Sequence, residues 1–545
     1  MASTAVMAGS SPLIAALCSP ECYTHPVERI EVLETHISWV ILTGQYAYKI
    51  KKPVNLGFLD FSTLEARRHY CEEELRLNRR FAPSLYETVV KITGSADHPR
   101  VGGEGAPLDG NGTAIEYAVR MREFPQGALA SRLLADGVLS GAHIDALAAR
   151  IAAFHAATGV AARGSSHGAP EAVITPAREN FLQLGSLLPD AADQARIAEL
   201  RAWTEREYNA RWSLFVARQA QGCVRECHGD LHLGNIVMLD GQLTPFDCIE
   251  FNPALRWIDV MNEVAFLVMD LMDRGHADFA YRFLNAYLGV SGGYAGLDVL
   301  RFYLVYRALV RAKVHGLRAA QDSISANERG RLLGASRGYV ELAQHCARGA
   351  CPAIILMHGM SGSGKSMIAQ ALAENTGAIR LRSDVERKRL SGLEPLARSG
   401  STLASGIYTA DLTLATYNRL LDLARMATIA GYAAVVDATF LKHWQRDLFR
   451  HQAHVRGIPF VIVDVTAPEA VLRTRIVARN TAGDDASEAD QAVLTRQIAQ
   501  REALTGEESA VVLQVDSSRA DVQATLHEAC EALRARLAAL MPQAA

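Results

Sequence analysis

The sequence predicts two unlike halves: an α+β half in which a small antiparallel sheet precedes long helices, and an α/β half with a parallel sheet. Three observations carry this. Short β-branched and aromatic runs crowd residues 30–121, and an Ala/Leu-rich helical texture fills most of 125–348. From Ala353 onward, short continuous apolar runs alternate with helical segments, as in a sheet buried on both faces. The texture changes place boundaries at 1–124, 125–349 and 350–545, three segments within the range expected for a chain of 545 residues.

Taken in order, Pro12-Leu-Ile-Ala-Ala-Leu17 is too short and too weakly flanked for a secretion signal and reads as a short helix packing onto the first domain. Ile30–His36, Ser38–Leu42 and Tyr46–Ile50 are strand-like, with breaks near His36 and at Gly44. Ser62-Thr-Leu-Glu65 has the spacing of a capping box and opens a helix that runs to about Phe81, before Pro83. Val89–Thr93 and Ala114–Met121 supply two more strands around a polar, glycine-rich loop at 94–113. Helices follow, interrupted around 223–251 by short apolar runs among Gly, Pro and Asp. In the second half, Ala353–Met357, a short strand ending near Arg380, Ala433–Val436, Phe460–Val465 and Val511–Val515 read as parallel strands. No flexible linker separates the halves, so the terminal helices of the first half are expected to pack on the second.

Composition narrows the function. Apolar residues make up 49% and charged residues 21%, as in packed globular protein. With 56 basic and 59 acidic residues the net charge is −3, which gives no field for nucleic acid or an anionic membrane. Nine cysteines, without zinc-type pairing, fit a reduced cytosolic protein. No apolar run is long enough to span a bilayer. Nucleic acid and membrane are therefore not expected partners, and oligomeric state is not legible.

The most specific segment of the first half is His228-Gly-Asp-Leu-His-Leu-Gly-Asn-Ile236, followed by Pro245-Phe-Asp-Cys-Ile-Glu-Phe251. Asp230 suits a base that accepts a hydroxyl proton, while Asn235 and Asp247 offer oxygen ligands for the Mg²⁺ that accompanies ATP. Phosphoryl transfer needs positioning and charge neutralisation, and these side chains provide both. At these residues the chain, over roughly 20–345, resembles the aminoglycoside phosphotransferase and choline-kinase branch of the protein-kinase-like fold. The resemblance implies a bilobal domain in which Lys49 holds the α/β-phosphates and pairs with Glu74. Lys51 is the rival lysine and Glu73 the rival acid. It implies further that Asp259 braces the catalytic loop and that Met121–Phe124 forms the adenine hinge. One departure stands out: the turn Glu34-Thr-His-Ile-Ser38 has no glycine, so a stiffer element replaces the usual phosphate flap.

In the second half, Gly359-Met-Ser-Gly-Ser-Gly-Lys-Ser366 fits G-x4-G-K-[ST] between a strand and a helix, which makes this half a P-loop NTPase domain. Backbone N–H groups of Gly359, Ser361, Gly362, Ser363 and Gly364 would cradle phosphate; Lys365 reaches the β/γ-phosphates and Ser366 holds Mg²⁺. Residues 352–540 resemble the P-loop kinases of the polynucleotide kinase, zeta-toxin and gluconate kinase group. In that resemblance Asp384, with Arg387 three residues on, is the acceptor-side base. Asp437 is the metal-shell aspartate, and Arg475 or Arg479, preceding the polar segment Gly483–Glu488, is the lid arginine.

The order of the halves matches a bacterial family that fuses an aminoglycoside-phosphotransferase-like domain to a P-loop kinase. The resemblance implies an ATP- and Mg²⁺-dependent kinase with two phosphotransfer sites acting on hydroxyl groups. Between Arg301 and Gly349 nine Lys/Arg face three acids, and Arg307, Arg311 and Arg318 share a helical face. A positive wall there would favour a small neutral or anionic acceptor. Two other readings stay open: a nucleic-acid end or nucleoside kinase using the P-loop half alone, and an ATP-sensing regulator with one inert site.

Overall fold

The computed structural model describes residues 11–57, 59–102, 112–322, 324–349, 351–395, 397, 406–482 and 486–540. They fall into two compact units, one within 1–143, Thr158–Gly168 and Gln221–Glu263, the other within Ile144–Ala157, Ala169–Ala220 and 264–545. Among the described residues no helix is long and apolar enough to cross a membrane.

The first unit is organised by a six-stranded antiparallel sheet. Its strands are β1 (Glu31–Glu34), β2 (Ser38–Leu42), β3 (Tyr46–Lys51), β4 (Tyr86–Gly94), β5 (Pro99–Val101) and β6 (Ala114–Arg122), in the order β1-β2-β3-β6-β4-β5. Alternation along β3 sends Tyr48 and Ile50 into a core with Ile41, Ile92 and Ala118, to which the amino-terminal helix Pro12–Ala16 adds Ile14 and Leu17. The other face carries Ala47, Lys49 and Lys51 beneath the helix Leu64–Asn78. That helix is capped one residue later than the sequence suggests. Thr63 accepts the Ala66 N–H, while Ser62 bonds to Asp60. Strand β5 falls inside the segment read as a loop. Short strands β7 (Val224–Glu226), β8 (Ile236–Leu239), β9 (Gln242–Pro245) and β10 (Trp257–Asp259) frame the His-Gly-Asp segment, with β8–β9 and β7–β10 paired antiparallel.

The second unit contains a five-stranded parallel sheet: β11 (Ile354–His358), β12 (Ile379–Arg382), β13 (Ala434–Asp437), β14 (Phe460–Thr466) and β15 (Val512–Asp516), ordered β12-β13-β11-β14-β15. Its central strands are fully buried, which explains their uninterrupted apolar runs. The same unit holds the helices Ala277–Ser291, Leu297–Ala319 and Ala326–Arg348; the first packs against β12, the second against the helix Ala410–Ile429, and the third on the second. Asn285 caps the outermost strand: its Nδ2 donates to the Ala378 carbonyl (3.0 Å) and its Oδ1 accepts the Arg380 N–H (2.7 Å). A side-chain amide thus satisfies a sheet edge that would otherwise be a template for aberrant pairing.

Candidate active sites

In the first unit the side chains gather at the mouth of the sheet. Lys49 Nζ lies 2.8 Å from Glu74 Oε1 and also contacts Asp247. Lys51 Nζ lies 2.8 Å from Glu74 Oε2 and contacts Glu250. Both candidate lysines therefore meet Glu74, but only Lys49 lines the adjoining cavity of about 560 Å³. Glu73, the rival acid, pairs with Arg76 and Arg256. Burial opposes ionisation of Glu74, yet Lys49 and Lys51 outweigh it and hold the carboxyl at about 2.

The His-Gly-Asp segment is set by local chemistry. Burial pushes the His228 imidazole toward its neutral form. Its Nε2 donates to the Phe246 carbonyl (2.8 Å), which leaves Nδ1 to accept the Asp230 N–H (3.2 Å). Gly229 has φ +90°, and a Cβ there would stand 2.8 Å from the Leu255 carbonyl oxygen, so glycine is required. The Gly229 N–H donates to Glu263 (2.8 Å). Asp259, expected to brace this loop, accepts the Met261 N–H at the start of the following helix (2.8 Å). Asn235 Nδ2 donates to Asp230 Oδ2 (2.9 Å), so the amide oxygen of Asn235 is turned away from that carboxylate. Asp247 holds φ +63°; Tyr86 Oη accepts its N–H (3.1 Å), and Asn78 Oδ1 accepts the next one (2.9 Å).

Asp230, Asn235, Asp247, Lys49 and Met121 all line the one cavity. Val40, Leu42, Ala47, Leu129 and Phe246 give it an apolar lining, with Phe124 edge-on to Phe246. The glycine-free turn forms its roof and is stitched internally. Thr35 Oγ1 accepts the N–H groups of Ile37 (3.3 Å) and Ser38 (2.9 Å), so those amides are turned inward. These bonds occupy the turn in which the sequence carries no glycine.

The second unit carries the glycine loop between β11 and the helix Lys365–Thr376. Gly359 (φ +138°) and Gly362 (φ +81°) would place a Cβ 2.4 Å and 2.7 Å from the carbonyls of Val465 and Leu472. Lys365 Nζ donates to the Met360 carbonyl (2.6 Å) across the loop. Burial lowers its ammonium to about 8, with Asp437 and Asp384 pulling upward and Arg479 downward. Ser366 Oγ donates to Asp437 Oδ1 (3.3 Å), whose other oxygen takes Arg380 Nη2 (2.7 Å). Burial works against Asp437's charge, but Arg380 and Arg382 hold the carboxyl below its usual range.

Lys365, Ser366, Asp437, Asp384, Arg475 and Arg479 line a cavity of about 350 Å³, together with Ser361, Gly362, Gly364 and Arg387. Ser363 lies just beneath, its carbonyl accepting from Ser517 (2.7 Å). The two lid candidates differ. Arg475 is held by the Ser517 hydroxyl and carbonyl, whereas Arg479 makes a bond to the Ala489 carbonyl and its buried Nε has no partner among the described residues. The buried Nε of Arg387 likewise has no partner among the described residues, while its Nη1 bonds to the Ile407 carbonyl and Thr413 and its guanidinium lies over Tyr408. Lys388 and Arg389 are not a solvated face: Lys388 is 1% exposed and pairs with Glu488, and Arg389 reaches Glu386 and the Gly289 carbonyl. Residues 483–485 of the polar segment lie outside the described residues.

Sequence reasoning passed over Tyr86, Asn78, Glu250 and Arg380. Only Glu250 left a local signal, three residues beyond Asp247; the partners of the others are distant in the chain.

Residues 69–303 match the phosphotransferase enzyme family and residues 354–504 the AAA domain family. An uncharacterized protein of Mycobacterium tuberculosis (strain ATCC 25618 / H37Rv) is 31% identical over 470 residues, covering 86% of this chain and 90% of the relative. The chain belongs to this family of two-part kinases. Among solved structures, a gluconokinase from Sinorhizobium meliloti 1021 is similar to the P-loop part (24% identity, 35% of this chain and 97% of that one, TM-score 0.27). An aminoglycoside phosphotransferase from Alicyclobacillus acidocaldarius is similar at 16% identity, over 60% of this chain and 92% of that one, with a TM-score of 0.34.

For this two-part kinase the arginine-rich segment 301–348 has a different use from the positive wall its sequence suggests. Arg307 is buried over the Phe266 ring (4.5 Å), and Arg311 lies over Tyr339 (5.8 Å). Arg318 pairs with Glu328, and Arg337 with Asp190 and Asp193. Arg307 is absorbed in helix packing, and Arg318 and Arg337 are matched by carboxylates at the surface.

Proposed function

We propose that this kinase has two ATP-dependent phosphotransfer sites, each acting on a hydroxyl of a small molecule, and that the P-loop site takes a neutral or anionic acceptor. The observation that carries the acceptor reading is Arg387. Its guanidinium lines the cavity that also holds Asp384, fixed there by Nη1 bonds to the Ile407 carbonyl and Thr413 and by the Tyr408 ring, and a fixed cation beside the base suits an oxygen-rich neutral or anionic acceptor better than a polycation. Asp384 takes the hydroxyl proton, Lys365 and Arg479 face the transferring phosphoryl group, and Arg475 holds the loop through Ser517. In the first site Asp230 is the base and Lys49 grips the donor phosphates while Glu74 fixes the lysine. Met121 lies at the adenine end.

The hard oxygen donors of Asn235 and Asp247, and of Ser366 and Asp437, fit Mg²⁺. A bound Mg²⁺ would neutralise charge on the donor phosphates.

The test uses full-length protein with one site silenced at a time, Lys365→Ala or Asp230→Asn. Each is offered polyols, sugar acids, aminoglycosides and 5′-hydroxyl oligonucleotides, with products read by mass. Transfer by the P-loop site to a sugar acid or polyol supports the reading. Transfer only to an aminoglycoside or an oligonucleotide overturns it, and ATP binding without transfer at one site identifies an ATP sensor.

Asp230→Asn and Asp247→Asn are expected to fail differently. Loss of the base lowers turnover by roughly 10²–10⁴ while ATP affinity is kept. Loss of Asp247 removes a metal ligand and a partner of Lys49, so calorimetry should show weaker Mg·ATP binding. Equal losses of affinity would contradict these roles.

The depressed Lys365 gives a pH dependence. Phosphate favours the ammonium form, so binding draws up a proton once the free site has lost it. ATP affinity at the P-loop site, measured in a Lys49→Ala background, should be flat below pH 8 and fall as pH rises through about 8, by at most about tenfold per unit. Calorimetry in two buffers of different ionisation enthalpy above that pH should register the proton uptake.

A further inference from the structure

A single lysine–glutamate pair would suffice to hold a phosphate-gripping lysine, yet the first unit contains a second pair. Strand alternation places Lys49 and Lys51 on the same face of β3 but at different depths. Lys51 is 1% exposed, Glu74 0% and Glu250 4%, and Lys51 does not line the cavity. Its Nζ contacts Glu74 Oε2 and Glu250 and stands 5.0 Å from the centre of the Phe61 ring. Glu74 therefore has each oxygen occupied by a different lysine, one facing the cavity and one sealed behind it. Three charges this deeply buried are tolerated only because each is paired.

The partners lie on separate elements. Lys51 belongs to β3, Glu74 to the helix Leu64–Asn78, and Glu250 to the loop that begins at Asp247. Asn78 strengthens the tie, donating to the Glu74 carbonyl (2.8 Å) and accepting the Cys248 N–H (2.9 Å). Strand, helix and loop are thus closed into a ring: Lys49–Glu74–Lys51–Glu250, and back along the loop to Asp247 and Lys49. Two lysines face three carboxylates, which leaves an excess of negative charge beside the metal-type donors.

We propose that Lys51 and Glu250 are positioning residues that lock Glu74, and through it Lys49 and the Asp247 loop, into the phosphate-gripping arrangement before nucleotide arrives. The first site is then permanently assembled, with no helix swing to gate it. The inference rests on the reading of Lys49 as the phosphate lysine.

The first measurement needs no variant. Hydrogen exchange of the full chain, with and without Mg·ATP, should leave protection of residues 64–78 and 247–251 within about twofold, since a locked element gains nothing on binding. Protection rising by about tenfold or more would mean that nucleotide orders these elements, and would overturn the proposal. The second measurement is made in a Lys365→Ala background. Lys51→Met alone leaves buried carboxylates short of a partner, so Lys51→Met/Glu250→Gln restores the charge balance. The double variant should melt near the parent but bind Mg·ATP about tenfold more weakly, and Lys51→Arg should recover part of that loss. Parent-like melting together with parent-like ATP affinity would make the pair structural only. Lys49→Ala separates the two claims. If it binds ATP like the parent, the phosphate-lysine reading fails; if it loses ATP while the double variant does not, only the lock fails.

Discussion

Lys365→Ala should abolish phosphoryl transfer at the P-loop site, by at least about 10²–10³ in turnover, without loosening the fold. The sequence places this lysine at the first position of the helix after the glycine loop, and the structure buries it there with one short bond to the Met360 carbonyl. Burial lowers its ammonium to about 8, so the charge is held against its own preference in the free protein. Removing such a group takes away transition-state stabilisation while relieving a local cost. The expected signature is therefore unusual for a fully buried lysine: activity lost, melting temperature unchanged or raised. Combined with Asp230→Asn, which silences the other site, the variant should transfer no phosphate to any acceptor. Wild-type ATP turnover in that double variant would show that the glycine loop is not where the chemistry occurs. A large drop in melting temperature would mean that Lys365 carries packing that its bonds to the Met360 carbonyl and the Ser363 hydroxyl do not reveal.

How much of this was legible in the sequence varied with the range of the physics. The glycine loop was legible because its demands are local: positive φ, close carbonyls, a strand before and a helix after. His228-Gly-Asp230 was legible for the same reason, since one imidazole and one glycine shape the turn. Lys49 and Lys51 could not be separated, because a period of two puts both on one face and depth is decided by Phe61 and by Glu250, which is distant in the chain. The cap of the first long helix shifted by one residue because Asp60 competes for the Ser62 hydroxyl. The arginine-rich segment misled for a physical reason. Guanidinium groups stack on rings as readily as they face solvent, and Phe266 and Tyr339 are in reach of Arg307 and Arg311 only once the helices pack. Strand β5, three residues including a proline at the sheet edge, had too little pattern to register.

The largest structural effect is expected from cutting the chain where its texture changes. A fragment of residues 350–545 contains the whole parallel sheet and the glycine loop, yet it should fail to fold as a soluble monomer. The cut removes the helix Ala277–Ser291, whose Asn285 satisfies the edge of β12 at Ala378 and Arg380. It also removes Arg282, paired with Glu374 at 2.9 Å, and Tyr281, whose ring fills the space beside Gly377. The Gly289 carbonyl that receives Arg389 and the Arg301 guanidinium beside Gly431 are lost with them. What remains is a parallel sheet with an open edge strand, an arrangement prone to aggregate. The consequence reaches the chemistry, because β12 carries Arg380, which holds Asp437, and leads directly into the helix bearing Asp384. Size-exclusion chromatography and calorimetry of the fragment, compared with the same residues co-expressed with 1–349, provide the check. Recovery of soluble, active protein only on co-expression is the expected result. A fragment that is monomeric, melts cooperatively like the intact chain and keeps full P-loop activity would show that the helices merely lie against the sheet and that the two kinases share nothing but a chain.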